Sequence, residues 1–122
     1  SVVFATDVEP DKGKSDERLL KFSQDVDLLI YDSQYTEDEY HGLNGNFSRI
    51  GWGHSTMHEA VKLAKGANVK ELILFHHDPT HDDNFVKQIE REARTHFPHS
   101  TAAYEGMEID LNRPGAPKSL FD

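Results

Sequence analysis

The chain has 122 residues, 36% hydrophobic and 29% charged, a balance that suits one soluble domain with a modest core. Its formal charge of −9 argues against extended nucleic-acid binding, which rests on neutralising phosphates with Lys and Arg. The absence of cysteine excludes disulfides, thiolate zinc sites and cysteine nucleophiles together and fits a cytoplasmic protein, while no apolar run approaches the roughly 20 residues of a membrane span.

The chain enters directly on the strand-like "VVFAT" and is expected to be a fragment of a longer protein. Val2 to Thr6 reads as a short buried strand. Ser15 can cap a helix running to Gln24, with Leu19, Leu20 and Phe22 as its apolar contacts. "VDLLIYD", residues 26–32, is an apolar run of strand length, covered on both faces. Thr36 and the following "EDEY" start a brief helix. "HGLNGNFSRIGWG" places four glycines in thirteen residues and reads as a loop. Ser55 or Thr56 caps the next helix, whose stripe is Met57, Ala60, Val61 and Ala64, with Gly66 at its end. "VKELILF" is a strand. Asp82 or Asp83 caps a helix to Phe97, with Val86, Ile89, Ala93 and Phe97 on one face and Pro98 as its stop. "TAAYEG" and "MEIDL" read as two closing strands before a Pro/Gly tail. The order β-α-β-α-β-α-β-β indicates an α/β layered sheet.

In such sheets, polar side chains at the carboxyl ends of strands line the functional crevice. Asp7, Asp32 and the pair His76 and His77 stand at those ends. "LFHHDPTHDD", residues 74–83, gathers six potential ligands: His76, His77, Asp78, His81, Asp82 and Asp83. Adjacent strand residues face opposite sides, so His76 and His77 share one metal's shell only if the strand has already ended. Asp78 precedes a proline, and Asp82 and Asp83 precede a helix, which are ordinary turn and capping positions. The stretch is therefore not expected to be a self-contained multi-ligand site. His54, in "GWGHST", lies between a glycine loop and a helix start, where the helix N-terminus disfavours a proton on the ring and favours a nearby anion. Trp52 is read as anchoring that loop on the core. His41, His58, His81, His96 and His99 are read as surface histidines, and Glu37 to Glu39 and Glu59 as solvated.

The series "ATDVEP", "DLLIYDSQYT", "GHSTMHEAVKLA" and "VKELILFHH", followed by "FHHDPTHDD" and "YEGMEI", resembles the C-terminal half of the metallo-β-lactamase fold superfamily over nearly the whole chain. The branch it resembles holds the tRNA 3′ endonuclease (tRNase Z) and cyclic-nucleotide phosphodiesterase-like metallohydrolases. The resemblance implies half of an αββα sandwich and a metal-dependent phosphodiesterase acting on a small phosphodiester or cyclic nucleotide. It implies Asp7 as the aspartate bridging two metal ions and His76, in preference to His77, as a metal ligand. It also implies His54 as proton donor to the leaving oxygen and Asp32 as the carboxylate that orients it. Two divalent ions, zinc or else manganese or iron, would activate water and neutralise the phosphoryl oxygens. The superfamily's H-x-H-x-D-H motif does not occur in this sequence. Asp7 and His76 alone fall short of the roughly four ligands zinc takes. The isolated chain is thus expected to hold few or no ions, to be inactive, and to associate with a missing N-terminal half or with itself.

Two other readings share the composition. In a response-regulator receiver, "DLLIYDSQYT" would be the phosphoacceptor strand with Asp7 in the acidic pair and Asp32 accepting phosphate. His76 and His77 stand where that family needs a lysine. The second is a non-catalytic interaction module of the same fold.

Overall fold

A computed structural model describes residues 1–10, 16–113 and 116–122. Four strands, β1 (Val2–Ala5), β2 (Leu28–Asp32), β3 (Glu71–Phe75) and β4 (Ser100–Ala102), form one sheet in the order β1-β2-β3-β4, every pair parallel. Between them run α1 (Glu17–Phe22), α2 (Glu37–His41), α3 (Met57–Gly66) and α4 (Asp83–His96). Parallel neighbours taken in sequence order, with crossovers of one hand, gather their helices on one face of the sheet. The residues of that face fall into register rows: Val3 beside Leu29 beside Leu72, then Ala5 beside Tyr31 beside Leu74. They join Ala60, Val61 and Ala64 of α3 and Ile89 and Ala93 of α4 in one buried core. The period-2 alternation of the strands and the 3.6-residue stripes of the helices meet there.

The opposite face is unevenly covered. Leu28 and Ile73 are buried, whereas Val2 and Phe4 are 47% and 57% exposed, and Phe4 meets Phe75 edge-on with ring centroids 5.2 Å apart. "MEIDL" forms no strand, contrary to expectation. The Met107 N–H closes a turn onto the Tyr104 carbonyl with Gly106 in the left-handed region at φ 79°, so the chain leaves the sheet after β4. Glu108 to Arg113 instead line a cleft beside Leu28, Lys70 and Glu71. No described helix is long and apolar enough to cross a membrane.

The helix starts follow the side-chain chemistry of the sequence. Thr36 and Glu39 form a reciprocal capping box on α2, Thr56 rather than Ser55 caps α3, and Asp82 rather than Asp83 caps α4. Asp16 caps α1; Ser15, the expected cap, lies outside the described residues. Phe22, expected to pack, is 75% exposed, because α1 stops after six residues and only Leu19 and Leu20 reach the core. Gly66 does not close α3 in a left-handed turn, since Ala67 takes the cap position. Leu20 explains the glycine: its Cδ1 would lie 3.1 Å from a Cβ added there.

One buried acid ties the end of the chain to α4. Glu90 is 2% exposed and accepts hydrogen bonds from the Ala102 N–H at 2.8 Å and the Ser119 hydroxyl at 2.6 Å. Glu90→Ala strands both donors, and unfolding in urea should show a loss of about 1–3 kcal/mol. An unchanged midpoint would mean that these bonds do not hold the C-terminal segment.

Candidate functional site

Asp32, the last residue of β2, has no exposed surface, and both its carboxylate oxygens are engaged. Oδ2 accepts the Asp7 N–H at 2.9 Å and lies 2.8 Å from His54 Nδ1. Oδ1 accepts the Gln34 N–H at 3.3 Å and the Ser55 N–H at 3.2 Å. A carboxylate has lone pairs for all four donors and none to give, so the contact to His54 places that ring's proton on Nδ1. Asp7 Oδ1 stands farther from the same nitrogen, at 3.9 Å. Asp32 therefore sets the tautomer and leaves Nε2 as the open nitrogen.

Asp7, His54 and His76 converge. One ligand-type atom from each lies within 4.8 Å of the others, and the two imidazoles stack with centroids 4.5 Å apart and planes 15° from parallel. Asp7 follows β1, His54 precedes α3, and His76 follows β3, so all three sit at the carboxyl ends of the strands as the topology requires. β3 has already ended at Phe75, which releases His76 from the strand's alternation. Asp7 and His76 both take left-handed backbone, at φ 53° and 63°. Few non-glycine residues adopt that conformation, and Asp and His tolerate it better than most. It turns the Asp7 N–H onto Asp32 and His76 toward His54. His77 goes elsewhere: its Nε2 lies 2.9 Å from the Ala103 carbonyl, and burial holds the ring's pKa below its ordinary value. The other acids of the stretch do local work. Asp78 accepts from the Thr80 N–H and hydroxyl, and Asp82 accepts from the Phe85 N–H.

Three residues near the site have partners that sequence spacing did not reveal. Glu9 accepts from the Gly51 N–H at 2.5 Å, the Gly53 N–H at 3.1 Å and the Tyr40 hydroxyl at 2.8 Å. Burial alone would raise its pKa, but these donors outweigh it and the carboxyl sits below its ordinary value. Glu9 thus holds the glycine loop from the β1 side. Glu39 is buried at 8% exposure, not solvated. His81, expected on the surface, has a side chain only 3% exposed; its Nε2 lies 2.9 Å from each Glu39 oxygen and its ring stacks on Phe85 at 4.0 Å. No local pattern links Glu9 to glycines more than forty residues away, or His81 to Glu39. Trp52 does not anchor the loop. It is 56% exposed and leans on Phe47 at 5.6 Å, because backbone bonds to Glu9 already do the anchoring.

The donor set, one carboxylate oxygen and imidazole nitrogens, suits zinc, manganese or iron. His76 Nδ1 is buried without a hydrogen-bond partner, so nothing among the described residues fixes that ring's proton against metal binding. Comparison with known proteins points the same way. The family model described as "Beta-lactamase superfamily domain" matches residues 1–77. The chain is 34% identical over 110 residues to the ribonuclease Z of Gemmatimonas aurantiaca, a match covering 90% of this chain and 31% of that protein. It is 27% identical over 113 residues to the ribonuclease Z of Bacillus subtilis, covering 93% of this chain and 33% of the relative. The chain therefore spans about a third of the length of these curated relatives. Among solved structures, the metallo-β-lactamase fold protein YhfI of Bacillus subtilis superposes with a TM-score of 0.61 at 25% identity, over 83% of this chain and 35% of that one. These matches overturn the receiver alternative, and so does the burial of Asp32, whose four hydrogen bonds leave no oxygen free for a phosphoryl donor.

The Glu9 contacts carry a measurable consequence. Glu9→Ala removes the acceptor of the Gly51 and Gly53 amides, and their hydrogen exchange should accelerate by about tenfold or more, the equivalent of one charge-assisted hydrogen bond. In the native chain the same amides should lose protection as pH falls below about 4.5, because a carboxyl whose folded pKa is lowered stabilises above its unfolded value and loses that contribution on protonation. Unchanged exchange in the variant would show that the loop is held by other means.

Proposed function

The chain belongs to the β-lactamase superfamily domain family, a family of metallohydrolases, and from that premise we propose that it is the C-terminal part of a metal-dependent phosphodiesterase. The observation that carries this reading is the meeting of Asp7, His54 and His76 within 4.8 Å around the buried Asp32. Asp7 and His76 would hold divalent metal, zinc by preference. Bound ions would supply positive charge against the phosphoryl oxygens and make water a competent nucleophile at neutral pH. The rest of the coordination would come from an N-terminal part of the enzyme, since among the described residues this strand-end cluster offers three ligand-type side chains. Asp32 fixes the His54 Nδ1 proton and so prepares Nε2 to carry a proton to the leaving oxygen.

A small phosphodiester or cyclic nucleotide is the substrate that the net charge of −9 favours, because long RNA would meet a repelling surface. The name ribonuclease Z carried by the relatives favours an RNA phosphodiester instead. Parallel assays of the complete enzyme on a cyclic nucleotide and on an RNA separate the two. The cysteine-free composition suits a cytoplasmic setting. The sheet face bearing Val2 and Phe4 is where the N-terminal part packs, and in its absence a second copy covers it. Sedimentation of the isolated chain should show concentration-dependent association that Phe4→Asp weakens; a stable monomer at high concentration counts against this.

The role of His54 is tested in the complete enzyme by varying the leaving group. His54→Ala should keep its metal and lose roughly 10² to 10⁴-fold activity on an alkoxide leaving group. It should lose far less on p-nitrophenolate, which needs little protonation. His76→Ala should lose metal and damage both substrates alike, and Asp32→Asn should behave as a mild His54→Ala. Lost metal, or equal losses on both substrates, in His54→Ala would make that histidine a ligand and not a proton donor.

A further inference from the structure

A second group of ligand-type side chains converges outside the strand-end cluster: His58 of α3 with Glu92 and His96 of α4, one atom of each within 4.8 Å of the others. Glu92 and His96 stand four apart and share a face of α4. The packing of Ala60 and Ala64 with Ile89 and Ala93 in the core brings the start of α3 against that face. His58 Nε2 and Glu92 Oε1 are 3.3 Å apart, roughly the 3.3 Å edge of a tetrahedron whose metal–ligand bonds are about 2.0–2.1 Å. Their side chains are 42% and 55% exposed, which leaves room for the set to close on an ion.

Three further features favour a cation. His58 Nδ1 is buried without a hydrogen-bond partner, a polar atom that the described residues leave unsatisfied. His58 and Glu92 line a cleft shared with Glu37, Asp38 and Glu39 and, among the described residues, with no lysine or arginine, so the local field is negative. His96 lies in the last turn of α4, where the backbone dipole favours positive charge.

We propose that His58, Glu92 and His96 form a divalent transition-metal site, for zinc by its two imidazoles and one carboxylate, with water completing the shell. It shares no ligand with Asp7, His54 and His76. An ion there bridges α3 to α4 two residues beyond the Thr56 cap, and lets this chain hold zinc that its strand-end cluster, short of ligands, does not retain.

The test titrates zinc ion into the metal-free chain against a chromophoric zinc indicator and follows thermal unfolding in parallel. Wild type and the Asp7→Ala, His76→Ala double variant should bind alike and melt higher with zinc. His96→Ala, an exposed helical position that accepts alanine, should weaken binding by about tenfold or more and lose the rise in melting temperature. Glu92→Gln, which keeps the shape and removes the charge, should also weaken it. Zinc binding that survives His96→Ala, that is absent from wild type, or that disappears with Asp7 and His76 overturns the site.

Discussion

A carboxylate with no exposed surface is the constraint on which the site depends. Burying the charge of Asp32 without partners would cost several kcal/mol, so the surrounding chain must supply donors. They come from separate segments: the Asp7 amide after β1, the Gln34 amide after β2, and the Ser55 amide and His54 ring before α3. One side chain thereby sets the relative positions of segments 25 and 23 residues distant in sequence. The left-handed backbone at Asp7 is the local strain that this arrangement carries.

Glu9 applies the same physics at the rim. Its carboxylate accepts two amides of the glycine loop and the Tyr40 hydroxyl, so the loop is held through its backbone. Its apolar side chains are then released from packing, and Phe47, Ile50 and Trp52 remain exposed. Two acids two residues apart, Asp7 and Glu9, thus have different tasks: one stands 3.9 Å from His54 Nδ1, the other fastens a loop.

The sheet is covered unevenly. Helices α3 and α4 dry one face completely, with Leu29, Leu72 and Leu74 fully buried against them, while Val2 and Phe4 of the other remain open to water. That asymmetry fits a chain that spans about a third of the length of its relatives.

The sequence by itself determined the alternation of strands and helices, three of the strands closely, the cap at Thr36, the α3 cap to within the pair Ser55 and Thr56, and the placing of Asp7, Asp32 and His76 at strand ends. Those follow from local periodicity and capping chemistry, which act over a few residues. Tertiary structure decided everything that needed a distant partner. It turned His76 and not His77 toward His54 through a left-handed residue that no spacing announces, and it buried Glu39 with His81 across forty-two positions. It gave Glu9 a loop to hold, left Trp52 in water, and turned "MEIDL" away from the sheet at Gly106. A polar side chain written in sequence looks solvated by default. Only the fold shows whether a second polar group arrives to replace the water, and in this protein the arrival of such groups at Asp32, Glu9, Glu39 and Glu90 is what shapes the site and its surroundings.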